Sequence, residues 1–187
     1  MSTTTDLAEG LQDLVATLRG ITLDPAAQIT LLAPLARFTP GESPGGGTVG
    51  RAMATMQAAV GAACRRAALV AMARAAAASA PASYDEAVAL RDQLCGLLEA
   101  EELVAGDLGD DASLAALRAL RGAVQQDLTR RAADLETLRT VSVPGTLPAL
   151  VHAYRLYRDI DRAEQLAAYA GAEDLNFMSP AFQALGQ

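Results

Sequence analysis

The stretch GRAMATMQAAVGAACRRAALVAMARAAAASA, residues 50–80, sets the fold class. Alanine fills about half of it, and alanine enters a helix without losing side-chain entropy. Val, Ile, Thr and aromatic residues, which favour strands, are sparse. The larger side chains Met53, Met56, Val60 and Cys64, with Met72 further along, fall near one helical face. The spacing therefore predicts a central helix over about residues 50–80 with that stripe turned inward. Arg65, Arg66 and Arg74 interrupt the apolar run and make it a poor membrane span.

Upstream lies TPGESPGGGTVG, residues 39–50. No strand precedes its glycines and no Gly-Lys-Ser/Thr follows them, so they read as a flexible linker, not a phosphate cradle. Before it, Leu7, Leu11, Leu14, Val15 and Leu18 repeat at three and four residues up to a stop at Gly20. Asp24-Pro25 then reads as an N-cap and first-turn proline for a helix through Ile29, Leu32 and Leu35, kinked or shortened at Pro34. Residues 1–38 are thus expected to form an N-terminal helical arm, 39–50 a linker, and 51–187 the main bundle.

Downstream, Ser83-Tyr84-Asp85-Glu86 is a capping box. The helix it opens carries Val88, Leu90, Leu94, Cys95, Leu98 and Leu103 towards Gly106 and Gly109. Asp110 or Asp111 caps the next helix, whose inward stripe is Leu114, Leu117, Leu120, Val124, Leu128 and Leu135. The pair makes an antiparallel hairpin, its first arm acidic (Asp92, Glu99, Glu101, Glu102) and its second basic (Arg118, Arg121, Arg130, Arg131). TVSVPGTLP, residues 140–148, reads as coil: Val141-Ser142-Val143 alternates like a strand, but no second strand is in view.

A helix pair is expected over 147–171, with the C-terminal tail packed on it. Its first helix puts Leu147, Leu150, Val151, Tyr154 and Tyr157 on one face and His152, Arg155 and Asp159 on the wet one. Asp161-Arg162-Ala163-Glu164 reads as an aspartate capping box for the second, with Leu166 and Tyr169 inward and Gly171 as its stop. The predicted class is all-α: a multi-helix bundle with antiparallel helical hairpins and a C-terminal short helix pair.

Composition narrows function. With 51% hydrophobic but only 4% aromatic residues, the core is thin and helices lie close over small side chains. All 15 basic residues are arginine, the mark of a GC-rich genome, and the net charge of −7 removes long-range attraction to a phosphate backbone. MSTTTDLAEG lacks the basic start and apolar run of a signal peptide, so residence in a cytoplasm is expected. Cys64 and Cys95 have no metal-type spacing and read as buried free thiols.

His152, the one histidine, lacks a Gly-x-Ser-x-Gly turn or a nearby cysteine, and zinc would need further ligands. Glu101-Glu102 reads as a solvated face. No enzyme, cofactor or metal site is expected. Candidate partner contacts are Phe177, Met178 and Phe182 in the tail, which either staple the terminus to the body or meet another chain, and Leu11, Leu14 and Leu18 of the arm.

The succession RRAALVAMARAAA (65–77), PASYDEAVALRDQLCGLLEAE (81–101), GDDASLAALRALRGAV (109–124), LRTVSVPGTLPALVHAYRLYRD (138–159) and NFMSPAFQAL (176–185) resembles the C-terminal helical portion of the phage DNA circularisation proteins. These are tail proteins of Mu-like contractile phages and their prophages. The resemblance runs from about residue 5 onwards, rests on extended similarity, and includes no catalytic motif. It implies a structural component of the virion at the baseplate, where hub, tube and tape-measure protein meet. Other tail proteins and further copies of the chain would be its partners, with no membrane and no sequence-specific nucleic acid among them. Family members usually carry a separate domain ahead of the helical part; this sequence starts without it, so functions of that domain are not carried over. A helical adaptor or assembly chaperone absent from the finished particle is the alternative.

Overall fold

The computed structural model describes residues 2–41 and 45–186, with side chains from residue 9 onward. Positions 42–44 of the expected linker, and the Leu7 side chain of the first stripe, lie outside the described residues. The order is α1 (Ser2–Gly20), α2 (Pro25–Ala36), α3 (Thr48–Ala78), α4 (Tyr84–Asp107), α5 (Asp111–Ala132), β1 (Leu138–Ser142), α6 (Ala149–Tyr157), α7 (Ala163–Ala170) and β2 (Ala181–Leu185). Helices dominate, and the fold is mainly all-α with one small two-stranded sheet among the described residues.

The chain divides into two compact units, and the division does not follow the glycine-rich stretch. One unit comprises Met1–Ala80 and Val88–Arg130, the other Pro81–Ala87 and Arg131–Gln187. The expected arm 1–38 therefore belongs to the first unit, and the expected bundle 51–187 is split.

In the first unit α1 and α2 bury Val15, Ile29, Leu32 and Ala36 in one cluster with Ala68, Leu69, Met72 and Ala75 of α3. Leu94 and Leu98 of α4 and Leu117, Val124 and Leu128 of α5 complete it. Seven of the seventeen described buried residues of this cluster are alanines, so much of the contact is made by methyl side chains. Local signals place the ends. Asp24 accepts hydrogen bonds from the Ala26 and Ala27 N–H groups at 3.2 and 3.1 Å, and Pro25 occupies the first turn. Gly109, at φ +68°, closes α4: the Asp110 N–H donates to the Ala105 carbonyl at 2.9 Å and the Gly109 N–H to the Gly106 carbonyl at 3.0 Å, a paired left-handed cap.

The inward stripe expected on α3 needs correction. Cys64 and Met72 are buried, but Met53 and Met56 are exposed, at 44% and 69%, with no described element burying that face of the first half of α3. The segment before the glycines is tied down. A Cβ placed on Gly61 would lie 2.6 Å from Pro40 Cγ, so the proline ring rests where only glycine leaves room. Arg65 Nη1 donates to the Phe38 carbonyl at 3.1 Å from the same side.

In the second unit β1 and β2 pair antiparallel, Leu138 opposite Leu185 and Val141 opposite Phe182. The coil expected over 140–148 is thus partly strand, its partner supplied from some forty residues downstream. Ala149, Ala153, Leu166, Ala167, Met178, Phe182 and Ala184 form the core, with Val141, Val143, Leu156 and Tyr157 against it. The capping box forms: Ser83 Oγ accepts from the Glu86 N–H at 3.1 Å, and Glu86 Oε2 accepts from the Ala82 N–H at 2.8 Å. Gly171, at φ +61°, ends α7 as expected. The aspartate box does not form; Arg162 is the N-cap of α7 and gives no side-chain capping hydrogen bond, and Asp159 Oδ1 takes the Asp161 N–H at 2.9 Å.

Candidate functional site

The densest chemistry in the first unit is an arginine–carboxylate cluster. Arg65 and Arg66 are adjacent on α3 and Glu101 and Glu102 adjacent on α4; neighbours on a helix diverge by about 100°, so the two glutamates serve two directions, while the two long arginine side chains converge on Glu101. Glu101 accepts from Arg65 Nε at 2.6 Å on one oxygen and from Arg66 Nε at 2.9 Å on the other. Arg66 Nη1 continues to Asp110 Oδ2 at 2.9 Å and Ser113 Oγ at 2.7 Å. Glu102 turns the other way and receives Arg121 of α5 as a two-pronged pair, at 2.7 and 3.2 Å.

Both glutamates are buried, Glu101 at 3% exposure and Glu102 at 6%, so the solvated face expected for them is wrong. A carboxylate leaves water only where charged donors replace it, and α3 and α5 bring those donors from either side. The Ser113 hydroxyl and the Arg66 guanidinium, with the Ser113 backbone N–H, hold the Asp110 carboxyl down at about 2. With both Glu101 oxygens held by guanidinium groups, the cluster ties α3 to α4. The charge match across the α4–α5 hairpin is present at Glu102 and Arg121, whereas Glu101 pairs with α3 instead of with α5. Two arginines inside an alanine-rich helix were the signal, since each needs a counter-charge once its surroundings close.

In the second unit His152 is 2% exposed, and its expected place on the wet face is corrected. Helix α6 buries Ala149, His152 and Ala153, while Leu150 and Tyr154 face outward. The small side chains let β2 approach, and the imidazole packs on Phe182 with ring centroids 4.8 Å apart. Its Nε2 is buried without a hydrogen-bond partner. Burial, and then the Arg155 charge, push the histidine pKa down. Tyr157 Oη accepts the Leu185 N–H at 2.9 Å, and Arg162 lies 4.0 Å over the Tyr157 ring. The surroundings of His152 are apolar; no nucleophile or carboxylate is bonded to it among the described contacts.

Among the expected partner contacts, Met178 and Phe182 are buried in this core and so are unavailable to another chain, whereas Phe177 is exposed. Leu14 is exposed on α1, and Leu11 and Leu18 are half-buried, with Leu18 against the first core. Cys64 and Cys95 are free thiols; burial pushes the Cys95 thiol up, which lowers its thiolate fraction at neutral pH. No set of three or more His, Cys, Asp or Glu side chains able to hold a metal ion occurs among the described residues, and no helix among them is long and apolar enough to cross a membrane. The chain matches no known family model and no curated protein sequence.

Proposed function

We propose that the chain is a nonenzymatic structural component of a contractile phage tail, at the baseplate where hub and tube meet, acting by packing against other tail proteins. One observation carries the packing half of this reading. Val49, Met53 and Met56 recur at four and three residues along the first half of α3 and are all exposed, a one-sided apolar face of the kind that partner helices cover. The tail setting rests on the resemblance of 81–101, 109–124 and 138–159 to the phage DNA circularisation proteins. Mass spectrometry of purified particles tests it: the chain is expected at stoichiometric copy number. Its absence from particles whose assembly still depends on it would favour the adaptor or chaperone reading; dispensability for assembly would remove both.

A further inference from the structure

A second feature of the first unit has nothing to do with the exposed end of α3. Between α1 and the second half of α3 runs a groove of about 610 Å³. Arg19 comes to it from α1, Arg66 and Arg74 from α3, and the one carboxylate among its lining residues is Asp13. Val15, Val70 and alanines form the apolar wall. Helix α3 contains four arginines and no acidic residue, in a chain whose net charge is −7.

The three arginines differ in their commitments. Arg66 is engaged by Glu101 and Asp110. Arg74 makes no ion pair among the described residues. Arg19 Nε is buried and has no hydrogen-bond partner. A guanidinium N–H withdrawn from water without an acceptor is costly, and native proteins rarely leave one so. An incoming carboxylate would supply the acceptor, and the planar guanidinium suits it geometrically.

We infer that the α1–α3 groove binds an acidic peptide segment of a partner protein, its carboxylates held by Arg19 and Arg74 and an apolar side chain lying on Val15 and Val70. The volume lies in the range of sites that enclose a ligand of some size, about 300–1,000 Å³, and a single oxyanion would leave most of it and the apolar wall unused. A nucleic acid is disfavoured because the negative charge of the whole chain repels a polyanion at distance. A few carboxylates on a peptide meet that repulsion weakly and find the arginines at contact. The inference holds whatever assembly the chain serves.

Fluorescence anisotropy on the full chain tests it with three labelled probes: a hexapeptide alternating glutamate and leucine, its glutamine counterpart, and a ten-nucleotide oligothymidine. Saturable binding of the glutamate peptide alone is expected, weakened at least tenfold by Arg74→Ala and by Arg19→Gln, and unchanged by Arg130→Ala on α5. Arg74→Glu is expected to abolish it and to create saturable binding of a lysine–leucine peptide that Arg130→Glu, which makes the same charge change outside the groove, does not create. Equal binding by all variants, no binding of the glutamate peptide, or tighter arginine-dependent binding of the oligothymidine would each overturn the inference.

Discussion

Glu101 and His152 are both buried ionisable groups, yet they are stabilised in opposite ways. Glu101 is paired through both of its oxygens, so removing it leaves Arg65 and Arg66 partly buried without their shared acceptor. Glu101→Ala is expected to cost about 3 kcal/mol in urea unfolding followed by far-ultraviolet circular dichroism. Arg130→Ala, which loses a surface pair with Asp127 at 3.0 Å, is expected to cost under about 0.5 kcal/mol. His152 is buried beside Phe182 with its pKa lowered, so the folded chain resists the proton that the unfolded chain accepts near 6.5. Its neutral form supports the fold fully above pH 6.5, and that support declines as pH falls through 6.5 towards the lower folded value. Thermal melts between pH 5 and 8 are expected to show this decline, and His152→Met is expected to lessen it.

At the scale of elements, α3 is two helices in function. Its second half is the middle of a core; its first half presents Val49, Met53 and Met56 to solvent. Gly61 marks the change, because the Pro40 ring lies where a Cβ would go. In an open helix Gly→Ala gains about 1 kcal/mol, but here the methyl must displace the proline. Gly61→Ala is expected to release residues 38–41 from α3 and speed tryptic cleavage after Arg37, read by mass spectrometry against the parent chain. An unaltered cleavage rate would show that Pro40 moves aside without freeing the segment.

The whole molecule holds two separate cores, and its reporters are unevenly shared. All four tyrosines, Tyr84, Tyr154, Tyr157 and Tyr169, lie in the second unit, and the chain has no tryptophan. Near-ultraviolet tyrosine signals therefore follow the second unit, while far-ultraviolet helix signal comes mostly from the first. Phe182→Ala empties a site at 4% exposure between β2 and α6 and is expected to cost about 3 kcal/mol. It should lower the tyrosine-detected transition more than the helix-detected one, and Glu101→Ala should do the reverse. Coincident shifts for both variants would mean that the two cores unfold as one cooperative body.

The same contrast runs through what was legible in the residues alone. The caps at Asp24, Ser83 with Glu86, Gly109 and Gly171 were readable because every atom they use lies within a few positions in the chain. Helical class was readable too, since alanine content acts residue by residue. Which face of a helix is buried depends instead on what arrives from elsewhere. Phe182 comes from thirty residues away to cover His152, Arg65 and Arg66 from some thirty-five to draw Glu101 inward, and no described segment buries Met53 and Met56. Helix ends were thus a property of the sequence; the inside and outside of each helix, and the strand pairing of β1 with β2, were decided by the tertiary structure, because burial is a relation between segments that no single segment carries.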